Sequence, residues 1–584
     1  MRFLRRLNRP AVQPAQGPVV SAAPAHELLQ DGWTTHLDRD VVRDVVLVLG
    51  GGSELDRGRA YAEAMPGATV HLLPVRDVGR ATALPPNLRV AHCRALRDRV
   101  DYLRTIPRPQ VIVENGTNKR SQKVGCLREL FLFLADGGVY TVESIDKSAD
   151  PALHDSPGMS IVELLEHLRA IRDGVAEPRR SGEAELADCL ARLTFSGTVA
   201  VATKQHDHAV KLRERDADAV LSARFGSSWG KVLEVRGSEE FRPVTVLTNH
   251  GSGPRRQRAM VKVPERRLRE YQDVLCSSRQ RVQKDGYYLP DTFRHPLQRR
   301  LNHRDTIDST AVLARDRDAP ISRRRLEGTY FHLDTEYPGH FGHVTTEVLG
   351  RVWGWRQARD RFPEVRPLVS LAEGASTIPA FQRDLFDALG VPTGEIEYVR
   401  PDEVVHVPHL LAASSDFAMP QFAAPSVASL WEEARRGLPA ADVETHDLIF
   451  SSRRPGGVRT CANTSDVEQV FRDLGFHVFF PEDHSIADQA ALFSGARLVA
   501  GFGGSNLFSA LFAGRAPRVV VSGTSYDANN EQLMAEVQGA DIDYVWGESE
   551  VRHPPRGWSW PAFRSGFSVD VARLRSALDQ ILSR

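Results

Sequence analysis

Lysine is scarce in this chain of 584 residues, and none follows Lys284. Of the 75 basic residues only 8 are lysine, and the remaining 67 are arginine. Any cationic side chain that contacts a phosphate in the second half of the chain is therefore arginine or histidine. A charge excess is also absent, because 75 acidic residues balance the basic ones. Nucleic-acid-binding proteins usually carry a basic excess, so we expect no nucleic acid partner.

Cysteine is also rare, and the five cysteines are scattered along the chain. Their number is odd, and their spacing matches neither a zinc site nor a disulfide framework. A reducing, cytoplasmic location is the interpretation. They are Cys93, Cys126, Cys189, Cys276 and Cys461.

Long hydrophobic runs are missing. No stretch of about 18 apolar residues occurs, so we expect no transmembrane helix. The N-terminus, MRFLRRLNRP, is basic but no apolar segment follows it, unlike a secretory signal. Residues 10–30 are rich in proline and alanine, and we predict that residues 1–38 are a disordered basic tail. The tail leaves open a peripheral contact with an anionic membrane, at its inner face.

What remains is typical of a globular protein with several domains. Hydrophobic residues make up 41% of the chain and charged residues 26%. The length exceeds that of one ordinary core, so two to four domains are expected. The boundaries that we predict divide the rest of the chain into residues 39–175, 176–240, 241–440 and 441–584.

The part from 39 to 175 alternates between strand-like and helix-like segments. Apolar runs at 45–50, 69–74, 111–115 and 138–144 predict a Rossmann-like α/β domain. The charged stretch GVAEPRRSGEAE, residues 174–185, indicates a linker. We interpret residues 176–240 as this linker followed by a mixed β segment.

Residues 447–545 show the clearest pattern, with short strands and helices in alternation. The apolar spacing predicts a helix from Ser465 to Gly475, begun by a capping box of Ser465 and Glu468. Ser485 is predicted to cap the next helix. Short connections between such elements favour a parallel sheet covered on both faces.

Ligands of parallel sheets bind at the carboxyl ends of the strands. Arg453, Arg454 and Arg459 follow one predicted strand, and the loop GFGGSN, residues 501–506, follows another. Arginines beside a helix N-terminus favour an anion. Two alternatives stay open: the arginines are solvated surface charges, and the glycines only form a tight turn.

Two motifs in this half resemble glycosyltransferase family 61, the capsular polysaccharide type. One is SSRRPGGVR, from residue 451, followed by FFPEDHSIADQAALFSGARLVAGFGGSNLFSALFA. The other lies upstream and is GTYFHLDTEYPGHFGHVTTEVLGRVW, from residue 328. The resemblance covers about residues 240–545, with the motifs in the order of the family.

The resemblance implies α/β architecture of the GT-B type, a pair of Rossmann-like lobes preceded by the N-terminal domain. Residues 241–440 would be the acceptor-side lobe, and 441–584 the nucleotide-sugar-binding lobe with a C-terminal helix. The implied activity is inverting transfer of a sugar to a glycan or lipid-linked saccharide, in surface polysaccharide biosynthesis. The nucleotide sugar would be a substrate, and the implied chemistry uses no metal.

The resemblance also carries over individual residues. His343 and Glu347 match the family's acceptor-lobe histidine and following acid, and Asp334 and Glu336 are alternative bases. An ordinary histidine titrates near working pH and can serve as general base. The implied donor-binding residues are Arg453, Arg459, Glu482, Gln489, Gly501, Gly503, Gly504, Ser505 and Asn506.

The sequence departs from the family at two positions. The loop histidine of the family falls on Gly503, and Thr464 follows the matched Asn463 where the family has glutamate. These departures leave open a non-catalytic protein of glycan assembly or binding.

The N-terminal domain has a resemblance of its own. Residues 111–144, VIVENGTNKRSQKVGCLRELFLFLADGGVYTVES, resemble class I methyltransferase-like proteins of the cephalosporin-hydroxylase-like group. Adenosylmethionine would bind at Gly50–Gly52, but the acid that holds its ribose is absent around residues 71–77. We therefore expect no cofactor, although methyl transfer stays an alternative function.

Pairs of aspartates separated by one residue hold the metal in some glycosyltransferases. The pairs at 316–318 and 541–543 fit this pattern, and we interpret both as incidental.

Overall fold

The computed structural model describes residues 32–79, 83–318, 322–454 and 456–584. Most of the predicted tail therefore lies outside the described residues. The rest forms two compact units. The first unit takes the described residues of Met1–Trp229, Gln283–Pro290 and Pro296–Ala319, and the second those of Gly230–Val282, Asp291–His295 and Pro320–Arg584.

The first unit is built on a seven-stranded sheet in which the strand Asp44–Leu49 is buried along its whole length. This strand is apolar on both faces because helices cover both sides of a parallel sheet. Five strands are parallel, Val199–Lys204 runs antiparallel to them, and Leu190–Ser196 is antiparallel to Val199–Lys204. In sheet order the strands are Leu88–Val90, Thr69–Pro74, Asp44–Leu49, Val111–Asn115, Val139–Val142, Val199–Lys204 and Leu190–Ser196.

Helices and a few short strands complete the first unit. Ser160 caps one helix and forms a capping box with Glu163. The α-helices are Glu54–Ala64, Leu96–Leu103, Arg120–Leu130, Ile161–Arg172, Glu183–Asp188 and Ala217–Phe225. The 3-10 turns are Gly32–Thr35, Arg39–Val41, Phe131–Phe133, Ile145–Ala149 and Pro151–Leu153. The short strands are Ala209–Lys211, Tyr287–Tyr288, Thr306–Ile307 and Leu313–Asp316.

The chain passes between the units several times, and two of these crossings lie within the strand Arg281–Lys284 and the 3-10 turn Pro290–Thr292. The segment 176–240, interpreted as linker and mixed β, contains the strands Leu190–Ser196 and Val199–Lys204, which complete the first sheet. A hairpin added to a parallel sheet pairs with distant residues, and local sequence does not show that pairing.

The second unit begins with a mixed sheet around the long strand Arg266–Ser277, which pairs antiparallel with Glu403–Ala413. In sheet order the strands are Gly230–Arg236, Arg266–Ser277, Glu403–Ala413, Thr329–His332, Arg366–Ser370 and Glu397–Val399, with Ser322–Arg325 also beside Glu403–Ala413. Two small ribbons are Glu239–Phe241 with Val261–Val263 and Phe417–Ala418 with Phe422–Ala423. The helical segments are Phe341–His343, Val344–Val348 (π), Leu349–Arg351 (3-10), Val352–Arg361, Ala380–Ala388, Thr393–Glu395 (3-10) and Ser426–Gly437.

A parallel sheet forms the C-terminal part of the second unit, as the alternation of elements predicts. In sheet order its strands are Leu247–His250, Ile542–Ser549, Arg518–Gly523, Leu498–Phe502, Leu448–Ser451 and His477–Phe479, with Phe567–Ser568 antiparallel beside Ile542–Ser549. Its helical segments are Thr464–Asp473, Pro481–Asp483 (3-10), Ile486–Gly495, Ser505–Phe512 (3-10), Asn530–Gln538, Trp560–Arg564 and Val571–Leu582. The predicted α/β fold class is confirmed.

One of the two predicted caps is correct. Ser485 accepts a hydrogen bond from the N–H of Asp488 and forms a capping box with it. The predicted capping box of Ser465 and Glu468 is wrong, because the helix begins after Asn463. Glu468 instead accepts a hydrogen bond from the Ser452 hydroxyl at 2.5 Å. Ser465 and Glu468 have the spacing of a capping box, but the carboxylate of Glu468 bonds to Ser452 in a different segment.

One hydrophobic core extends through both sheets of the second unit. Leu268 and Phe331 of the mixed sheet belong to the same buried cluster as Ile449 and Val499 of the parallel sheet. The predicted lobe boundary at 440 therefore separates two sheets that lie within one compact unit. The GT-B arrangement stays a prediction that is compatible with this pair of sheets.

Candidate active site

Two strand ends of the parallel sheet create the first part of the site. Ser451 lies beside Gly501 in register, so the loops that follow both strands leave the same edge of the sheet. Arg453 and Arg459 come from one loop and Gly503–Asn506 from the other. The sequence predicted this meeting from the strand order alone.

Arg453 braces the two loops against each other. Its Nη2 donates to the Gly503 carbonyl at 2.9 Å and to Asn506 Oδ1 at 2.6 Å, and its Nη1 donates to the Val458 carbonyl at 3.2 Å. Burial, and then the neighbouring Arg459, lower the pKa of Arg453 to about 10, so it stays charged at neutral pH. These acceptors belong to the protein, so Arg453 positions the loop.

Arg459 remains available to bind an anion, because the described contacts of its guanidinium include no hydrogen-bond acceptor. Its guanidinium lies over the rings of Tyr526 at 5.2 Å and Phe563 at 5.0 Å. No hydrogen bond joins the guanidinium to a described residue, and its Nε is buried without a partner. Its backbone φ of +60° is unusual for a side-chain-bearing residue. Such a charged, unpaired donor set suits an anion.

Gly504 lets both arginines approach the loop. Its φ is +128°, and a Cβ at this position would lie 2.5 Å from Arg453 Nη2 and 3.2 Å from Arg459 Nη2. Its N–H donates to Glu531 Oε1 at 2.7 Å, and the Tyr526 hydroxyl donates to the same oxygen at 2.8 Å. This N–H therefore already has a protein acceptor.

The other predicted loop residues hold the backbone in place. Gly501 has no room for a side chain, because a Cβ would lie 2.8 Å from the Ser451 carbonyl. Asn506 accepts from Arg453 and donates through Nδ2 to the Ser451 carbonyl at 3.3 Å. Ser505 begins the 3-10 helix Ser505–Phe512.

Gly503 lies where the resemblance places the family's loop histidine. A Cβ at Gly503 would lie 3.0 Å from the Tyr526 ring and 3.1 Å from Ser522 Oγ. Tyr526 thus occupies the space beside the loop that a larger residue would need.

Glu482 and Gln489 lie next to the same sheet edge but in different surroundings. The carboxylate of Glu482 is half-exposed and 3.8 Å from Arg454. Gln489 is buried: its Nε2 donates to the Pro481 carbonyl at 2.8 Å and its Oε1 accepts from the Ser509 hydroxyl at 2.6 Å. Gln489 therefore joins the helix Ile486–Gly495 to Ser505–Phe512.

His343 lies where an α-helical turn changes into the π-helical segment Val344–Val348. Its Nδ1 pairs with Glu347 Oε2 at 3.1 Å, and its ring stacks on Tyr337 at a centroid distance of 4.6 Å. With Nδ1 occupied, Nε2 is the ring nitrogen for which the described residues provide no hydrogen-bond partner. The side chain is 14% exposed. A histidine oriented in this way can accept a proton at Nε2.

Glu347 continues a row of charges behind His343. Its Oε1 accepts from Arg294 Nε at 2.6 Å. Burial alone would raise the pKa of Glu347, but the charges of Arg294 and His343 outweigh it and hold the pKa below its usual range. Burial lowers the pKa of the neighbouring His340 to about 4, and His343 adds to this effect. His340 is therefore neutral at working pH.

The alternative base Asp334 lies deep in the fold. It accepts hydrogen bonds from the N–H of Gln280 at 2.9 Å and of Thr335 at 2.8 Å, and from the hydroxyl of Ser370. Burial raises its pKa to about 6 even though these donors oppose the shift. The contacts indicate a structural carboxyl that joins the end of one strand to its neighbours. Glu336 is also buried.

The segment that carries His343 contacts the loop 501–506 and the 3-10 helix that follows it, within the second unit. A Cβ on Gly342 would lie 2.9 Å from the Phe508 ring and 3.2 Å from Ser505 Cβ. His343 therefore follows directly after the residue that contacts the start of Ser505–Phe512. The structure brings together His343, Glu347 and the loop 501–506, and it places Asp334 and Gln489 in internal hydrogen bonds.

Sequence reasoning missed four residues of the site. Arg294 and Phe563 lie far from either motif, and one arginine among many carries no sequence signal. Tyr526 and Glu531 follow the strand Arg518–Gly523, whose carboxyl end shares the site edge. That position is the one signal that could have indicated them.

The described residues contain one cluster with metal-ligating atoms, in the first unit. It consists of Glu185, Cys189 and His208. Arg315 pairs with Glu185 at 2.8 Å, so a cation there would have to displace a guanidinium. The aspartate pairs have protein partners too, since Asp316 accepts from the Tyr288 hydroxyl at 2.6 Å and Asp543 pairs with His250 at 2.8 Å.

Side chains of the first unit bond to one another at the carboxyl edge of the first sheet. Arg57 donates to both oxygens of Glu143, at 2.8 and 3.0 Å, and Asn115 donates to the same carboxylate at 2.6 Å. The N–H of Gly52 donates to Glu54 at 3.0 Å. The crevice where the resemblance would place adenosylmethionine thus contains a paired carboxylate.

Comparisons with known proteins give one family match. Residues 341–521 match the family model Glycosyltransferase 61. No curated protein matches the chain. In addition, none of the described helices has the length and apolar character needed to cross a membrane.

Solved structures that show a weak likeness include two of MycE methyltransferase of the mycinamycin biosynthetic pathway. One, with Mg and SAH, is 18% identical at a TM-score of 0.25 and covers 30% of this chain and 49% of its own. The other, with Mg, SAH and mycinamycin VI, is 17% identical at a TM-score of 0.25, with 30% and 48% covered. The chain thus spans about half the length of these proteins.

The family match includes His343, Glu347, Arg453, Arg459 and the loop 501–506, and it leaves out Tyr526 and the helix Trp560–Arg564 that carries Phe563. It supports glycosyl transfer as the general chemistry. The resemblance predicted from the sequence is therefore confirmed, and residues 341–521 are similar to glycosyltransferase 61.

Proposed function

We propose that the protein transfers a sugar from a nucleotide-sugar donor to a hydroxyl group of a glycan or lipid-linked saccharide, with inversion and without a metal. The observation that supports this most is the row Arg294, Glu347 and His343, which begins beside the donor loop. Arg459 lies next to Gly504 of the same loop, and the described residues offer its guanidinium no hydrogen-bond acceptor.

In the proposed reaction, the acceptor oxygen attacks the anomeric carbon while the bond from that carbon to the diphosphate breaks. The proton of the acceptor hydroxyl moves to Nε2 of His343, and the nucleoside diphosphate leaves with the electron pair. Glu347 stabilises the imidazolium through Nδ1, at 3.1 Å. Arg459 stabilises the negative charge that develops on the departing diphosphate.

We place this activity in surface polysaccharide biosynthesis of the capsular type, in the cytoplasm and at the inner face of the membrane. The family resemblance supports the pathway class. The five cysteines, all free and buried, support a reducing compartment.

The test is a transfer assay with purified full-length protein and a panel of nucleotide sugars. His343→Gln should lower turnover by about 10²–10⁴, since general-base catalysis contributes about that much. Donor binding should remain nearly intact by calorimetry, and EDTA should leave the rate unchanged. His340→Gln, the matched control, should change turnover by less than tenfold. Normal turnover of His343→Gln together with an inactive Asp334→Asn would reassign the base.

Gly503 supports a second proposal, a non-catalytic protein of glycan assembly. The ring of Tyr526 and the hydroxyl of Ser522 take up the space beside the position of the family's histidine. If wild-type protein binds nucleoside diphosphates but transfers no sugar from any donor in the panel, this second proposal replaces the first.

A further inference from the structure

Two tryptophans are exposed beside the proposed donor site. Trp558 is 46% exposed and Trp560 is 54% exposed, and both lie outside the segment that matches the family. Together with Phe563 they form an aromatic platform: the rings of Trp558 and Trp560 lie 5.6 and 5.8 Å from that of Phe563. Adjacent exposed tryptophans are unusual on a protein surface without a ligand or partner.

The loop that carries the platform is held rigidly against the sheet edge. His553 Nε2 pairs with the Ser525 carbonyl at 3.0 Å, and His553 Nδ1 accepts from the N–H of Ser559 at 3.1 Å. The Ser525 hydroxyl donates to the Val551 carbonyl at 2.8 Å. A platform fixed in this way loses little conformational entropy when a ligand stacks on it.

The platform is joined directly to the candidate anion-binding residue. Phe563, its inner ring, lies 5.0 Å from the guanidinium carbon of Arg459. Arg459 in turn lies next to Gly504, on the loop that continues into Ser505 and the His343 segment. Pairwise contacts therefore connect the His343 segment to the loop 501–506, the loop to Arg459, Arg459 to Phe563, and Phe563 to the tryptophans.

We propose that the platform binds the nucleobase of the donor by stacking; this inference rests on the proposed function. In a nucleotide sugar the transferred sugar and the nucleoside are attached to opposite ends of the diphosphate. With the sugar facing His343 and the diphosphate at Arg459, the nucleoside extends toward Phe563 and the tryptophans. A nucleobase is flat and aromatic, and every base can stack on an indole ring.

Two other occupants would use different chemistry. A sugar ring of the acceptor could stack on the tryptophans, but the acceptor hydroxyl must reach His343, at the other end of this row. Arg552, Arg556 and Arg564 flank the tryptophans in sequence, so an anionic membrane is the other occupant to test.

Calorimetry with ADP, CDP, GDP, UDP and inorganic pyrophosphate tests the platform on full-length protein. The double variant Trp558→Ala with Trp560→Ala should lose about 5- to 150-fold in affinity for the nucleoside diphosphate that wild type binds best, because stacking of one base contributes about that factor. Its affinity for pyrophosphate should stay within twofold. Both side chains are exposed, so the variant should fold.

Three controls make the result specific. Trp558→Phe keeps an aromatic face and should retain most of the affinity. Val551→Ala removes an exposed apolar side chain from the same loop and should change nothing. Arg459→Ala should weaken nucleoside diphosphate and pyrophosphate alike. Quenching of tryptophan fluorescence by the nucleoside diphosphate should disappear in the double variant.

The outcomes separate this inference from the function on which it rests. Wild-type protein that binds neither nucleotides nor pyrophosphate would overturn the proposed function. Unchanged nucleotide affinity in the double variant would overturn the platform alone. In that case a raised KM for the acceptor would assign the tryptophans to the glycan, and reduced binding to phosphatidylglycerol vesicles would assign them to a membrane.

Discussion

At the scale of single residues, Glu347 is the carboxylate on which the candidate base depends. Glu347→Gln would leave Arg294 with a weakened partner in a mostly buried position, and breaking such a pair costs about 3–5 kcal/mol. We expect a loss of that order at pH 7 in chemical denaturation. Glu395→Gln, in an exposed pair with Arg359, is the matched control and should cost below about 1 kcal/mol.

The same residue predicts a dependence on pH. The folded-state pKa of Glu347 is depressed, so its stabilising contribution is present above an unfolded pKa of about 4.3 and is lost as pH falls below it. The difference in stability between wild type and Glu347→Gln should therefore shrink between about pH 5 and pH 3. A difference that stays constant over this interval would contradict the ion pairing.

Asp334 should show the opposite dependence on pH. Its folded-state pKa is about 6, above the ordinary value of about 3.9, so the fold favours the protonated carboxyl. This residue should add about 1.4 kcal/mol of stability between pH 7.5 and pH 5, where the folded state binds more protons. Asp334→Asn should lack that gain. Equal pH profiles in urea denaturation would show that Asp334 is exposed to water.

At the scale of elements, the loop 501–506 depends on a residue without a side chain. Gly504→Ala should displace both guanidiniums from the loop and weaken nucleoside diphosphate binding by about tenfold or more, as loss of one charged hydrogen bond does. Gly514→Ala is the matched control, because Gly514 also has positive φ, at +55°, but nothing lies within 4 Å of its Cβ position. Gly514→Ala introduces backbone strain alone, whereas Gly504→Ala introduces strain and also displaces the guanidiniums. Calorimetry of nucleoside diphosphate binding to both variants separates the two effects.

Gly503 lies against the Tyr526 ring, which leaves little room for a side chain at this position of the loop. Gly503→His should destabilise the protein by about 1–3 kcal/mol, because the new side chain would overpack the space that Tyr526 occupies. In a Tyr526→Ala background the same substitution should cost less. A double-mutant cycle measured by urea denaturation reports this coupling. Simple additivity would mean that Tyr526 does not exclude the histidine.

At the scale of the whole molecule, we expect a nucleotide to stabilise the second unit and adenosylmethionine to leave the first unit unchanged. A nucleoside diphosphate at about 100 times its Kd should stabilise the second unit by about 2.7 kcal/mol, and the thermal midpoint should rise accordingly. Adenosylmethionine should shift no midpoint, because Arg57 and Glu143 fill the edge of the first sheet. A rise with adenosylmethionine would establish a cofactor site in the first unit and favour methyl transfer.

The sequence predicted the elements of the site better than their contacts. The alternation of strands and helices placed Arg453, Arg459 and the loop 501–506 at one sheet edge, since parallel strands share an edge. It did not show that the Arg453 guanidinium donates hydrogen bonds to the Gly503 carbonyl and to Asn506 Oδ1. Arg294 carried no signal at all, because its pairing with Glu347 joins positions 53 residues apart in the chain.

The sequence by itself determined the α/β class, the parallel C-terminal sheet and the His343 and glycine-loop motifs, because these depend on local periodicity and short spacing. Only the tertiary structure decided which charges are free. Arg459, between Tyr526 and Phe563, has no described acceptor, whereas Arg453, Asp334 and Gln489 are taken up by protein partners. A side chain's availability depends on burial and on partners from distant segments, and packing alone brings those segments together.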